Sequence, residues 1–185
     1  MQPLDSFLGV EMSSERVTIF IDGSNLYHCA HERFARTDVD FVKLSALLTS
    51  GRKLVRTYYY NASVRQEDGE ERYRKQQQFF ERLRLLPYFD LRLGRLERRG
   101  NTVVEKGIDV RIATDMLLQA HQNVYDTAVL ISGDADLVPA VEAVKSIGKH
   151  VELACVSAGR SRELMQTADL FVDLDPILPQ AWRQA

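Results

Sequence analysis

Short, continuous apolar runs alternate along this chain with segments of helical periodicity, and this alternation is the strongest constraint on its fold. Five runs predict strands, over residues 17–21, 54–60, 128–131, 151–156 and 170–172. Such runs are typical of strands in a parallel sheet that is covered on both faces. Between them the periodicity predicts amphipathic helices over 109–121 and 137–147 and a long charged helix over 70–86. The pattern therefore predicts an α/β fold, a three-layer sandwich with a central, mainly parallel sheet.

Length and composition favour one cytoplasmic domain. The 185 residues are 45% hydrophobic, which is enough for one core of ordinary size. Residues 1–14 contain neither a basic segment nor an apolar run of signal-peptide length, so we expect a flexible N-terminal segment followed by a single domain over 15–185. No apolar run approaches membrane-spanning length, so no membrane partner is expected. The sequence leaves open whether the protein is a monomer or a homodimer.

Aspartates follow two of the predicted strands at the points where the apolar runs end. Asp22 comes directly after the first strand, and Asp134 and Asp136 follow the third strand within ISGDADLVP. In open α/β sheets ligands bind beyond the carboxyl ends of the strands, so neighbouring strands would bring these carboxylates together. Asp109, in the first turn of a predicted helix, is a fourth candidate. Clustered carboxylates repel unless a cation lies between them, and oxygen ligands favour Mg²⁺ or Mn²⁺ over Zn²⁺.

Each aspartate also has a purely structural interpretation, which the sequence leaves open. An aspartate before glycine is common in turns, so Asp22 alone would suit a turn. Asp136 would suit the N-cap of the helix that contains Pro139, and Asp109 would complement a helix dipole. The coincidence of acids with strand ends favours a site over these local roles.

Four spaced motifs occur in order within residues 16–174: FIDGSNLY, VEKGIDVRIATDML, VLISGDADLVPAVEAVKSIGKHVEL and SRELMQTADLFVDL. Together they resemble the NYN domain, in particular its LabA-like branch, within the PIN-like nuclease superfamily. The resemblance implies a PIN-like fold and metal-dependent RNA cleavage that leaves a 5′-phosphate. Position by position, it implies four catalytic and metal-binding acids: Asp22, Asp109, Asp134 and Asp136. It also implies three polar companions: Asn25, Lys106 and Ser132.

The residue types of this site suit phosphodiester hydrolysis. The reaction needs water made nucleophilic near neutral pH and a way to spread charge on the non-bridging oxygens, and carboxylate-held Mg²⁺ or Mn²⁺ supplies both. Asp22 and Asp134 are the predicted direct ligands. Asn25 would hold a phosphate or a water on the metal, or else cap a helix. Ser132 would orient Asp134, and Lys106 would contact phosphate or balance the acids.

Arginines are concentrated between residues 82 and 99, in the segment RLRLLPYFDLRLGRLERR. The segment predicts an RNA-binding surface with four candidate substrate contacts: Arg92, Arg95, Arg98 and Arg99. Four tyrosines are candidates for stacking on single-stranded bases: Tyr58, Tyr59, Tyr60 and Tyr88. The alternatives are a solvated arginine face and tyrosines that belong to the core.

Taken together, these features predict a metal-dependent ribonuclease that acts on single-stranded RNA. One alternative is a catalytically idle NYN module that binds RNA or a protein partner in regulation. Another is a small-molecule phosphohydrolase that uses the same metal crevice. The four acids favour an enzyme over the idle module, and the arginine-rich segment favours a polymer over a small ester.

Overall fold

A seven-stranded sheet lies between two layers of helices in the computed structural model, which describes residues 15–64, 66–99 and 102–184. The strands are β1 (Arg16–Asp22), β2 (Lys53–Ser63), β3 (Phe89–Arg99), β4 (Thr102–Lys106), β5 (Thr127–Ile131), β6 (His150–Cys155) and β7 (Leu170–Asp173). Their order is β4-β3-β2-β1-β5-β6-β7, and every neighbouring pair is parallel except β3 with β4. The predicted sandwich with a mainly parallel sheet is confirmed. The predicted flexible segment, residues 1–14, lies outside the described residues.

Helices cover both faces of this sheet. The first layer contains α1 (Gly23–Phe34), α2 (Phe41–Thr49), α3 (Glu70–Arg84) and the C-terminal segment. The second layer contains α4 (Ile108–His121), α5 (Val138–Ser146) and α6 (Arg162–Thr167). Successive residues of β1 enter opposite cores, since Ile19 and Ile21 pack in the α1 layer and Phe20 packs in the α4 layer. Among the described helices, none is long and apolar enough to cross a bilayer.

The middle of the sheet determines where a site can form. From β1 the chain builds outward to β2 and β3 on one side, and it then returns to place β5, β6 and β7 on the other side. The order therefore reverses between β1 and β5, which is where open α/β sheets form a ligand crevice. Ile21 pairs with Ile131 across these two strands, so their carboxyl ends lie at the same level. Asp22 and Ser132 follow this pair directly.

The apolar pattern does not predict β3, β4 or α2. The strands β3 and β4 form an antiparallel pair at the edge of the sheet, and arginines interrupt the leucines of β3. Such a strand lacks the continuous apolar run of a strand that is buried on both faces. The helix α2 is short, and Asp40 caps it by accepting from the backbone N–H groups of Val42 and Lys43. Its apolar side chains complete the core beneath α1.

Candidate active site

Asp22 ends β1 and begins α1. Its Oδ1 accepts from the backbone N–H of Asn25 at 3.0 Å, so Asp22 is the N-cap of α1. Its Oδ2 accepts from the Ser132 hydroxyl at 3.1 Å, at the end of β5. The residue is only 5% exposed. A buried carboxylate is costly without partners, and these two bonds fix the direction of both oxygens.

The loop after β5 is tied both to Asp22 and to α1. The Ser132 hydroxyl oxygen, besides donating to Asp22, accepts from the backbone N–H of Asp134 at 3.1 Å. The side-chain oxygen of Asn25 accepts from the backbone N–H of Gly133 at 3.0 Å. This chain of hydrogen bonds fixes Asp22 and Asp134 relative to each other, although they follow different strands.

Asp134, rather than Asp136, acts as a cap in this loop. Asp134 Oδ1 accepts from the backbone N–H of Asp136 at 3.0 Å and caps the 3₁₀ turn Ala135–Leu137. Asp136 lies inside that turn and is exposed, and α5 begins after Leu137 without a side-chain cap. The predicted N-cap role of Asp136 is therefore wrong. The carboxylate of Asp136 therefore does not cap α5, and its negative charge contributes to the electrostatic field of the site.

Asp109 completes the acidic group from the α4 side. It lies in the first turn of α4, as predicted, and is half-buried. Burial raises the pKa of Asp109 above its ordinary value, and the nearby carboxylates of Asp134, Asp22 and Asp136 raise it further. The fold therefore brings all four predicted acids into one region, where their charges repel.

The donor set of this region suits Mg²⁺ or Mn²⁺, because it consists of carboxylate, hydroxyl and amide oxygens. Within the described ranges, no three His, Cys, Asp or Glu side chains lie close enough to hold one ion together. Mg²⁺ needs only one or two carboxylates when waters and substrate phosphates complete its shell. Asp22 and Asp134 are the pair that would hold such an ion. Asp136 would act through its charge, whereas the raised pKa of Asp109 suits that carboxylate to accept a proton.

Two glycines allow the loops around the site to pack closely. A Cβ on Gly133 would lie 1.7 Å from the carbonyl oxygen of Gly159. A Cβ on Gly159 would lie 2.2 Å from Cys29 Sγ in α1. The 3₁₀ turn Ser157–Gly159, which follows β6, therefore supports the loop after β5 from behind. Sequence reasoning missed this role, because a glycine in a loop gives no local signal of what packs against it.

The family relationship of the chain decides what kind of protein this site belongs to. The model of the NYN domain family matches residues 16–175. The chain belongs to the NYN domain family. The predicted resemblance to this family is thereby confirmed. Membership relates the chain to the PIN-like nucleases, which typically depend on divalent metal ions.

Individual relatives support the same assignment. This NYN domain chain is 28% identical over 168 residues to the low amplitude and bright protein LabA of Synechococcus elongatus, which covers 88% of this chain and 85% of LabA. An uncharacterized protein of Sinorhizobium fredii is 32% identical over 90 residues, 47% of this chain and 41% of that protein. A crystal structure of a protein of unknown function from Vibrio parahaemolyticus superimposes with a TM-score of 0.73 and 25% identity, over 91% of this chain and 97% of that one.

Two of the three polar companions, Asn25 and Ser132, have partners other than those predicted. Asn25 does not cap α1, because Asp22 does, and it instead ties α1 to the backbone of the β5 loop. Ser132 orients the carboxylate of Asp22, and it meets Asp134 only through the backbone N–H. Lys106 ends β4, and its side chain lies outside the described part of the structure.

Arg92 lies level with Asp22 across the sheet. Asp22 pairs with Tyr60, and Tyr60 pairs with Arg92, which at the usual strand spacing is a separation of about 10 Å. The Arg92 guanidinium lies 5.2 Å from the centroid of the Tyr58 ring and 3.6 Å from the carboxylate of Asp90. Arg92 is therefore already engaged within the sheet. The other predicted contacts, Arg95, Arg98 and Arg99, belong to β3, and their side chains lie outside the described part of the structure.

The predicted base stacking is wrong for three of the four tyrosines. Tyr58, Tyr59 and Tyr60 are buried, because β2 is a central strand and its successive side chains enter the two opposite cores. The Tyr60 hydroxyl donates to Asp115 on α4 at 2.9 Å. Tyr88 is 66% exposed and stays a candidate for stacking.

Proposed function

We propose that this NYN domain is a metal-dependent ribonuclease that hydrolyses phosphodiester bonds of single-stranded RNA. The observation that carries the proposal is the convergence of four acids near the ends of β1 and β5, where burial and then the three other carboxylates raise the pKa of Asp109. Holding like charges together opposes folding, and such costs are commonly found at functional sites. A divalent cation would reduce the repulsion between these carboxylates. The same cation would supply the Lewis acid and the activated water that RNA hydrolysis needs.

The residues of the site would have separate roles in the hydrolysis of RNA. Mg²⁺ or Mn²⁺ held by Asp22 and Asp134 would supply a Lewis acid and activate water. Ser132 and the N-terminus of α1 hold the two oxygens of Asp22, so that ligand is oriented before substrate arrives. The raised pKa of Asp109 makes its carboxylate a stronger base than an ordinary aspartate. We therefore propose that Asp109 is the general base that accepts the proton of the attacking water.

A catalytically idle NYN module that binds RNA or a protein partner is the second candidate. One observation favours it: among the described residues, no three acids come close enough to ligate one ion directly. In that case the acids would be retained for their electrostatic field and their hydrogen bonds. A small-molecule phosphohydrolase would use the same crevice but would not need an extended cationic surface.

Cleavage of labelled single-stranded RNA by the purified protein separates these functions. We expect cleavage with Mn²⁺ or Mg²⁺, none with EDTA, and products that carry a 5′-phosphate. RNA binding without cleavage in either metal would support the idle module. Hydrolysis of p-nitrophenyl phosphate without cleavage of RNA would support the phosphohydrolase.

Asp109→Asn should melt at the same temperature as the wild type in EDTA at neutral pH, or a few degrees higher. The folded state raises the pKa of Asp109, so it favours the protonated form, and ionisation of this carboxyl destabilises the fold as pH rises above the ordinary aspartate value. Asparagine does not ionise, so the variant avoids this loss of stability. Mn²⁺ should stabilise the wild type, by about 2.7 kcal/mol at a hundredfold excess over Kd. Differential scanning fluorimetry with and without Mn²⁺ measures both effects.

The matched control for these melts is Glu142→Gln, which removes one negative charge from the exposed side of α5. Its response to Mn²⁺ should equal that of the wild type, whereas Asp109→Asn should gain less. A lower melting temperature for Asp109→Asn in EDTA would contradict the repulsion inferred here. Superimposed wild-type melts with and without Mn²⁺, together with no binding by titration calorimetry, would exclude the metal site.

A further inference from the structure

A cavity of about 820 Å³ opens between α1 and α3, and its lining begins at the residue that follows Asp22. Gly23 and Ser24, which directly follow Asp22, are among its lining residues. Asn61 also lines it, and this residue comes one position after the β2 partner of Asp22. The cavity, which we call the α1–α3 groove, therefore lies beside the carboxyl ends of the central strands. Its volume is in the range of pockets that enclose a ligand.

One stripe of α3 supplies most of the positive charge of the α1–α3 groove. Arg72, Lys75 and Arg82 line it and are exposed, and their spacing places them along one side of the helix. At the α-helical rise the stripe is about 15 Å long. Within the described ranges, neither arginine has an ion pair, and Lys75 has only an exposed pair with Glu71. These charges are therefore available to an anionic ligand.

The rest of the lining adds to this positive field. Arg183, from the C-terminal segment, also lines the α1–α3 groove. Asp38 is the acid among its described lining residues, and both of its carboxylate oxygens accept from the Arg36 guanidinium, at 2.5 and 2.7 Å. The charge of Asp38 is thus already compensated. The groove presents a net positive surface beside an acidic centre, as a site for a polyanion with a metal would require.

Tyr27 places an exposed aromatic ring at the α1–α3 groove. The residue is 52% exposed and lines the cavity from α1. Its ring centroid lies 5.5 Å from that of His28 and 6.3 Å from that of His31, so the ring is supported by its own helix and not by the core. Proteins that bind single strands combine such a ring with a cationic groove, because every base has a face on which it can stack.

The wall that carries the cationic stripe is held in place. Gln76, on the same helix, accepts from the backbone N–H of Val64 at 2.7 Å and donates to the carbonyl oxygen of Ala62 at 3.0 Å. These bonds attach α3 to the end of β2. Beneath them, Phe79 packs against Phe41 and Tyr59. The groove is therefore preformed, which lowers the entropic cost of binding.

We propose that single-stranded RNA reaches the acidic site through the α1–α3 groove, with its phosphates against Arg72, Lys75 and Arg82 and one base stacked on Tyr27. The inference rests on the proposed function, from which it takes RNA as the substrate. It assigns the strand to a surface other than the arginine-rich β3. Cations spread over about 15 Å suit successive phosphates better than the single phosphate of a small ester. An exposed ring suits an unpaired base, which a duplex would keep stacked within the helix.

Arg72→Ala combined with Arg82→Ala should weaken binding of a labelled oligouridylate about tenfold. The slope of log K against log salt should fall by about 1.4, because each single-strand phosphate contact contributes about 0.7. Tyr27→Ala should also weaken binding about tenfold, through lost stacking and without a change in the slope, whereas Tyr27→Phe should bind like the wild type. Fluorescence anisotropy in EDTA measures binding with cleavage suppressed.

The matched control combines Arg74→Ala on α3 with Arg162→Ala on α6, which removes the same charge from exposed positions outside the groove. Equal weakening by the control and the groove variant would overturn the proposal, and so would wild-type protein that binds no RNA or binds a duplex as tightly. If the groove variants bind and cleave RNA like the wild type, the proposed RNA path is wrong, but the proposed ribonuclease activity still holds. Groove-dependent binding without metal-dependent cleavage would support the groove and overturn the ribonuclease.

Discussion

Asp134→Asn should slow Mn²⁺-dependent RNA cleavage by at least about 100-fold, the scale of loss when a group that stabilises transition-state charge is removed. Asparagine keeps the oxygen that accepts from the backbone N–H of Asp136, so the cap of the 3₁₀ turn should survive. What the variant loses is the negative charge that acts on the nearby carboxylate of Asp109. Initial rates on labelled single-stranded RNA measure the effect, and a melting curve shows that the variant is folded.

Glu142→Gln is the matched control for this comparison as well. It removes one carboxylate from the exposed side of α5, close in sequence to Asp134 but outside the acidic group, and it should cleave at the wild-type rate. A folded Asp134→Asn protein that cleaves as fast as the wild type would show that cleavage does not arise at the acidic site. The idle module would then be the better account of this NYN domain.

Gly133→Ala should lower the free energy of unfolding by about 3 kcal/mol, which for a chain of this length is a fall in Tm of roughly 10 °C. The added Cβ would lie 1.7 Å from the carbonyl oxygen of Gly159 and 2.8 Å from its carbonyl carbon. Both atoms belong to the backbone, so the two loops must separate. That movement would also draw the N–H of Gly133 away from Asn25. Urea and thermal unfolding measure the loss.

Gly148→Ala separates steric crowding from backbone strain. Gly148 has a φ of +83°, and a Cβ there would meet nothing within 4 Å. Alanine at this position should therefore lower the free energy of unfolding by about 1 kcal/mol, because of the left-handed backbone conformation alone. Equal losses in the two variants would show that packing against Gly159 is not what requires glycine at 133. A Gly133→Ala protein as stable as the wild type would contradict the close contact of the two loops.

Local pattern was sufficient to predict the fold class and the position of the acids. A continuous apolar run such as residues 128–131 needs cover on both faces, and this requirement alone indicates a parallel sheet between helices. Strand ends can be placed from the same runs, so the sequence places Asp22 and Asp134 at the carboxyl edge of the sheet without showing that their strands are neighbours. Both inferences depend on residues that are close in sequence, where periodicity carries information.

Tertiary structure alone decided which side chains meet. Ser132 and Asp22 are 110 positions apart, and Gly133 and Asn25 are 108 apart, so their bonds depend on β1 pairing with β5. The tyrosines of β2 are buried because β2 lies between β1 and β3 and helices cover both of its faces, which the sequence of the strand does not reveal. The α1–α3 groove likewise combines residues from segments that are far apart in the sequence. Periodicity reports which face of an element is apolar, whereas the partner of a polar group depends on which elements the whole chain brings into contact.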